Sequence, residues 1–191
     1  MQTDSAADLE NDASHAGRSG WLLAACVLAV LLACSGTEHD LGIRMGIAPA
    51  LTYRDGLYNP QRKQLATEPV IAWMMTKFED YSTNADAVFI GVTHNDIYIA
   101  TSSRPFAFEQ RVPPHYAFIS SNRTSQRPVG ETARITEVQP SLRKLVTRTI
   151  GALHFGKPES TNPRNVMYGP LRSLDDLESI DESTARSLLI E

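Results

Sequence analysis

The chain has 191 residues, 21% of them charged and 42% hydrophobic, which excludes a largely disordered or fibrous protein and fits one domain with its own core. Acids outnumber bases by 22 to 18, but Asp4, Asp8, Glu10, Asp12 and Arg18 all precede residue 33, leaving 18 acids against 17 bases in the remainder. A nearly neutral folded part with no basic run and no aromatic-interleaved basic helix offers nucleic acid no footing, so no nucleic-acid partner is expected.

Residues 1–18 read as an acidic, disordered N-terminus. Residues 19–37 enclose the uninterrupted apolar run WLLAACVLAVLLAC from Trp21 to Cys34, a membrane-targeting segment. The run is shorter than the roughly 20 apolar residues of a spanning helix and so matches a signal peptide, while its uncharged flanks from Ser19 to Thr37 extend it to a short transmembrane anchor. Its end, Leu31-Leu32-Ala33-Cys34, resembles the lipobox of bacterial lipoproteins, in which the cysteine carries the lipid. Cys34 is therefore the expected lipid anchor, against the plainer reading of an apolar filler in a signal anchor. Arg18 on the cytoplasmic side places the domain on the extracytoplasmic side of a bacterial cell envelope. Cys26 and Cys34 are the two cysteines of the chain, so residues beyond them form neither an internal disulfide nor a cysteine metal site.

Residues 38–57 read as a linker with a short apolar stretch from Ile43 to Leu51 that can supply a first strand, and residues 58–191 as the domain. The string TEPVIAWMMTKFEDY predicts an amphipathic helix with Thr67 as N-cap, Pro69 in the first turn, and Val70, Ile71, Met74 and Phe78 on one face. AVFIGV, from Ala87 to Val92, has the length and composition of a buried strand. Thr93 to Asp96 make a turn, Ile97 to Ala100 a second short strand, and YAFIS from Tyr116 to Ser120 a third, after a Pro113-Pro114 break that a central strand cannot hold. Residues 122–140 read as a surface loop with a short element near Ile135. From Ser141 onward Leu142, Leu145, Val146, Thr149, Ile150 and Leu153 fall on one face of a long helix, ended by Gly156 and Pro158. The tail is turn-rich and becomes weakly helical from Leu174. These elements predict an α+β (α/β-type) domain of modest size.

Five strings, in order, resemble the archaemetzincin branch of the metzincin metallopeptidases: YNPQRKQL from Tyr58, GVTHNDIY from Gly91, PFAFEQR from Pro105, YAFISSNR from Tyr116 and NVMYG from Asn165, the last similar to the Met-turn. The resemblance runs from about residue 57 to 181. It implies a zincin-like fold: a twisted mixed, mostly parallel sheet packed with two main helices, a Met-turn at Met167, and an irregular C-terminal segment. Metzincins hold zinc through HExxHxxGxxH, whose first two histidines share a helix face while the Glu serves as general base. Setting Ile150-Gly151 on the family's Leu-Gly puts Arg148 at the first histidine, Thr149 at the Glu, Ala152 at the second histidine and Pro158 at the third ligand. None of these can replace its counterpart. Arginine stays protonated and offers no lone pair, alanine and proline have no side-chain donor, and a threonine hydroxyl is a poor base.

The expected site is thus degenerate: no catalytic residue, no metal ligand and no cofactor, with zinc expected only if a non-standard set such as His94, Asp96, His115 and His154 converges. Arg148, His154, His94 and Asp96 form the candidate cleft, and a cationic floor at Arg148 would suit an anionic or peptide ligand. The plainer readings are a solvated helix face for Arg148, a helix-end cap for His154, a hydrogen-bonded polar turn for His94 to Asp96, and an ordinary core methionine for Met167. Function is then expected to be that of a membrane-tethered, non-catalytic binding or assembly module. The rivals are a zinc-dependent peptidase with an unfamiliar site, and a structural envelope lipoprotein.

Overall fold

Among the described residues, Tyr116 to Ser120 is the one strand whose five residues are all buried, and the other elements are arranged around it. A computed structural model describes residues 41–48, 50, 56–79, 86–125 and 135–190. The acidic N-terminus, the apolar run and Cys34 lie outside the described residues. Among the described residues no helix is long and apolar enough to cross a membrane.

In chain order the elements are β1 (Tyr58–Asn59), β2 (Gln64–Ala66), α1 (Thr67–Lys77), β3 (Phe89–Thr93), β4 (Ile97–Tyr98), β5 (Glu109–Val112), β6 (Tyr116–Ser120), α2 (Ile135–Leu153), α3 (Leu174–Ser179) and α4 (Ala185–Ile190), with a 3-10 turn at Glu182–Thr184. They form two small mixed sheets, ordered β1-β2-β4 and β3-β6-β5. Each sheet has one parallel pairing, β2 with β4 and β3 with β6, and one antiparallel pairing, β1 with β2 and β5 with β6. The fold class is α+β, as expected.

Alternation along β6 sets the layers. Tyr116 and Phe118 join Val70, Ile71, Trp73 and Met74 of α1, together with Leu65 and Ile97, in one apolar cluster. Ile119 joins Leu142, Leu145, Val146 and Ile150 of α2 in the other. Strand side chains point alternately to opposite faces, so one five-residue strand serves two cores. The C-terminal tail returns over α2 and adds Val166, Met167, Leu177, Ile180, Ala185 and Leu189 to the second cluster. The first helix of the tail, α3, is fixed by a capping box, Ser173 accepting from the Asp176 amide while the Asp176 carboxylate accepts from the Ser173 amide.

Several expectations change in detail. Strand β3 is only half-buried through Val92, because it lies at the edge of its sheet, and the central buried strand is β6. The N-cap of α1 is Ala66, without a side-chain cap; Thr67 is already helical, and its hydroxyl donates to the Tyr98 carbonyl, tying α1 to β4. Helix α2 is described from Ile135, six residues before Ser141, with Pro140 inside it. Residues 43–48 form no strand, yet Leu41 is buried, and Ile43 and Met45 pack on the α2 cluster while Gly42, Arg44 and Gly46 are exposed. That alternation makes part of the expected linker a strap on the core.

Close approach of α1 to β3 depends on Gly91. A Cβ there would lie 2.7 Å from the Phe118 ring and 2.8 Å from Met74 Sδ, both buried. Gly91→Ala is expected to destabilise the domain by about 1–3 kcal/mol through overpacking. Urea unfolding checks this, and an unchanged midpoint would show that the helix yields freely.

Candidate functional site

The site is built where α2 faces β5. Glu109 and Arg111 are two residues apart on β5 and therefore share a face. Their cross-strand partners Ile119 and Ala117 place that face toward α2. Across from them, Arg148 and Thr149 are adjacent on α2, and both engage Glu109. Arg148 Nη1 forms an ion pair with Glu109 Oε1, and the Thr149 hydroxyl donates to Glu109 Oε2 at 2.8 Å. Arg111 Nε lies 3.3 Å from the same Glu109 Oε1.

A second carboxylate closes the network from the loop after α2. Glu159 Oε1 receives Arg148 Nη2 at 2.6 Å and Arg111 Nη2 at 2.5 Å. Arg148 Nε donates to the Tyr168 carbonyl at 2.8 Å, so this guanidinium is held on three sides. Its side chain is 2% exposed, and that of Glu109 is 7% exposed. A solvated helix face is thus the wrong description for Arg148. Thr147 and Thr149 are buried as well, because β5 and the returning tail cover α2 well beyond its apolar stripe. Gly169 completes the fit, since a Cβ there would strike Arg148 Nη2 and approach the Glu159 carboxylate.

Two arginines and two glutamates balance in charge, which makes burial of Arg148 tolerable. Burial pushes the Arg148 guanidinium below its ordinary pKa, against the pull of Glu159. Partial burial acts to raise Glu159, but Arg148 and Arg111 outweigh it and hold the carboxyl below its ordinary value.

The other residues singled out in the sequence lie elsewhere. Met167 is buried under α2, where Gly151 provides room: a Cβ on Gly151 would meet Met167 Sδ at 2.5 Å and Leu189 at 2.8 Å. Ala152 packs half-buried at the same core, and Pro158 is exposed just beyond the helix end. His154 is exposed after the last turn of α2, its ring edge-on to Phe155 at 4.8 Å. Asp96 accepts two hydrogen bonds from Arg123, at 2.9 and 2.6 Å, and one from Gln64 at 2.8 Å, while Arg123 stacks over Phe106. His94 Nδ1 is 3.3 Å from the Ser121 hydroxyl. Among the described residues no hydrogen bond, ion pair or ring contact joins any two of Arg148, His154, His94 and Asp96. The non-standard set divides too. His115 precedes Tyr116 at one end of the β3–β6 pair and bonds the Ala87 carbonyl, whereas His94 follows Thr93 at the other end, about 20 Å away at about 3.3 Å per residue.

Zinc is the group that the resemblance to archaemetzincins implies, and the donors present do not fit it. Where imidazoles are expected stands a guanidinium that repels a cation and already holds the nearby carboxylates. Among the described residues no group of three or more His, Cys, Asp or Glu is placed to hold a metal ion. Sequence reasoning missed Glu109, Arg111 and Glu159. The available signal was the alternation Glu-x-Arg in EQRV, opposite charges two apart on a segment of strand length beside a helix carrying an arginine.

No protein-family model matches the sequence, and no curated protein does. Solved structures do resemble it. A zinc-dependent peptidase from Methanocorpusculum labreanum superposes with a TM-score of 0.67 at 20% identity, covering 82% of this chain and 91% of that one. An archaemetzincin from Archaeoglobus fulgidus, complexed with malonate, gives 0.62 at 20% identity over 80% and 84% of the two chains. Another from Methanopyrus kandleri gives 0.53 at 20% identity over 73% and 71%. At this level of identity the likeness establishes the fold, which is zincin-like.

Proposed function

We propose that this zincin-like chain is a pseudo-metallopeptidase: a non-catalytic binding or assembly module tethered by its N-terminal segment to the outer side of a bacterial membrane. The observation that carries the proposal is the buried guanidinium of Arg148, clamped by Glu109 and Glu159 on the helix that resembles the zinc-binding helix of archaemetzincins. A cation supplied by the long helix itself ties that helix to β5 and to the loop after it. Such an arrangement keeps the fold while removing the lone pairs that a catalytic metal requires. The tether is inferred from the run Trp21 to Cys34, with Cys34 as its lipid-bearing residue.

The neighbour named as a zinc-dependent peptidase favours the rival, a peptidase with an unfamiliar zinc site. Metal analysis of the full-length chain, after incubation with Zn²⁺ and dialysis, separates the two. Zinc well below one ion per chain and no peptide hydrolysis are expected. Stoichiometric, tightly held zinc together with hydrolysis that His94→Ala or His154→Ala abolishes would establish the peptidase instead.

A further inference from the structure

We propose that Arg111 and Arg148 form a carboxylate-binding site kept filled by the chain's own Glu159, and that an acidic side chain or terminal carboxylate of a peptide partner takes the same place when Glu159 swings out. This rests on the binding-module reading above and names the chemistry of its ligand.

The unequal exposure of the partners carries the argument. Both guanidinium groups converge on one oxygen, Glu159 Oε1, at 2.5 and 2.6 Å. The cations are built in, with side chains 18% and 2% exposed, whereas Glu159 is 44% exposed. Arg148 also has the Glu109 carboxylate and the Tyr168 carbonyl to hold it, and Arg111 has Glu109. Removing the Glu159 carboxylate therefore leaves two oriented donors, a preorganised arrangement that loses little on binding a replacement.

Glu159 can leave without moving the backbone. Its neighbour Ser160 is fixed by hydrogen bonds from its amide to the Met167 carbonyl and from the Gly169 amide to its own carbonyl, so a side-chain rotation suffices. The carboxylate and Arg148 pack closely against the backbone at Gly169, where no Cβ would fit, so the way out for Glu159 is toward solvent, where its side chain is already 44% exposed. Charge selects the ligand. Arg111 and Arg148 less the charge of Glu109 leave one positive unit, which matches a carboxylate monoanion better than the dianion of phosphate.

Chemical rescue tests this in the full-length chain held in detergent. Glu159→Ala is expected to melt at a lower temperature than the wild type and to regain stability as acetate is added. The wild type, whose internal carboxylate competes at high effective concentration, should need about tenfold more acetate for a comparable shift. Phosphate at matched ionic strength should rescue less, and Arg111→Gln added to Glu159→Ala should abolish the acetate response. Where Glu159→Ala does not fold, Glu159→Gln keeps the volume and is read the same way. A peptide with an internal glutamate and blocked ends, compared with one ending in a free carboxylate, then identifies the source of the anion. Equal acetate responses in wild type and variant, rescue by phosphate as good as by acetate, or a response that survives loss of Arg111 would each overturn the proposal. Zinc uptake by the wild type would instead defeat the non-catalytic reading, so the two failures are distinct.

Discussion

Arg148→Ala is expected to lower the unfolding free energy by about 3–5 kcal/mol, because it leaves a buried carboxylate without its main partner. Glu109 is 7% exposed and would keep only Arg111, at 3.3 Å, and the Thr149 hydroxyl. The same loss is expected for Glu109→Gln, which leaves the 2% exposed guanidinium with Glu159 as its one carboxylate partner beside the Tyr168 carbonyl. Removing both charges at once, as Arg148→Met with Glu109→Gln, leaves Arg111 and Glu159 as an intact pair. The double variant should therefore be markedly more stable than the sum of the single changes implies, with a coupling of about 1–3 kcal/mol. Urea unfolding of the wild type, the two single variants and the double variant measures it. A loss below about 1 kcal/mol for Arg148→Ala would mean that the guanidinium is solvated, as exposed ion pairs are.

Deleting residues 180–191 should have an effect of at least that size. Ile180 and Leu189 are 3% and 2% exposed, and Leu189 fills the space beside Gly151 on α2. Each large apolar side chain contributes about 1.5–3 kcal/mol on burial, so these two supply about 3–6 kcal/mol. The deletion also removes Glu182, which accepts from Arg143 at 2.7 and 2.9 Å. Set against a typical total of about 5–15 kcal/mol, the loss is large enough to abolish cooperative folding at ordinary temperature. Thermal circular dichroism and dye binding to exposed apolar surface check this. A sharp melt near that of the full chain would show that the tail is an appendage and that α2 is closed without it.

Some parts of the molecule are legible in the sequence for identifiable reasons. YAFIS stands between a Pro-Pro break and polar residues and is dominated by strand formers, so β6 falls where expected, from Tyr116 to Ser120. Leu142, Leu145, Val146 and Ile150 mark α2 because an apolar stripe at helical spacing rarely arises outside an amphipathic helix, and all four are buried. The start of α2 is hidden by Pro140, which reads as a stop although it lies inside the helix. Strands β1 and β2 are two and three residues long and carry no periodic signal. They pair because Asn59 folds the chain back, its side chain accepting from the amides of Gln61 and Arg62, and because Lys63 adopts φ 55. The core of the site is the least legible part. Its four charges come from residues 109, 111, 148 and 159, three separate segments, and nothing local to any one of them reveals that the others neutralise it. Alternation marks β5 only when the facing helix is known, since charged residues at every second position ordinarily point to water.

Under the tether proposed above, the strap formed by Leu41, Ile43 and Met45 would have a mechanical meaning. These side chains seat the incoming chain directly on the apolar cluster of α2, well ahead of the first paired strand at Tyr58. Any pull from the N-terminal side would then be borne first by three apolar side chains in the cluster to which α2, the helix that carries Arg148, contributes. Tension on such a leash would be felt in the cluster shared by α2, β3 and β6 before it reached β1.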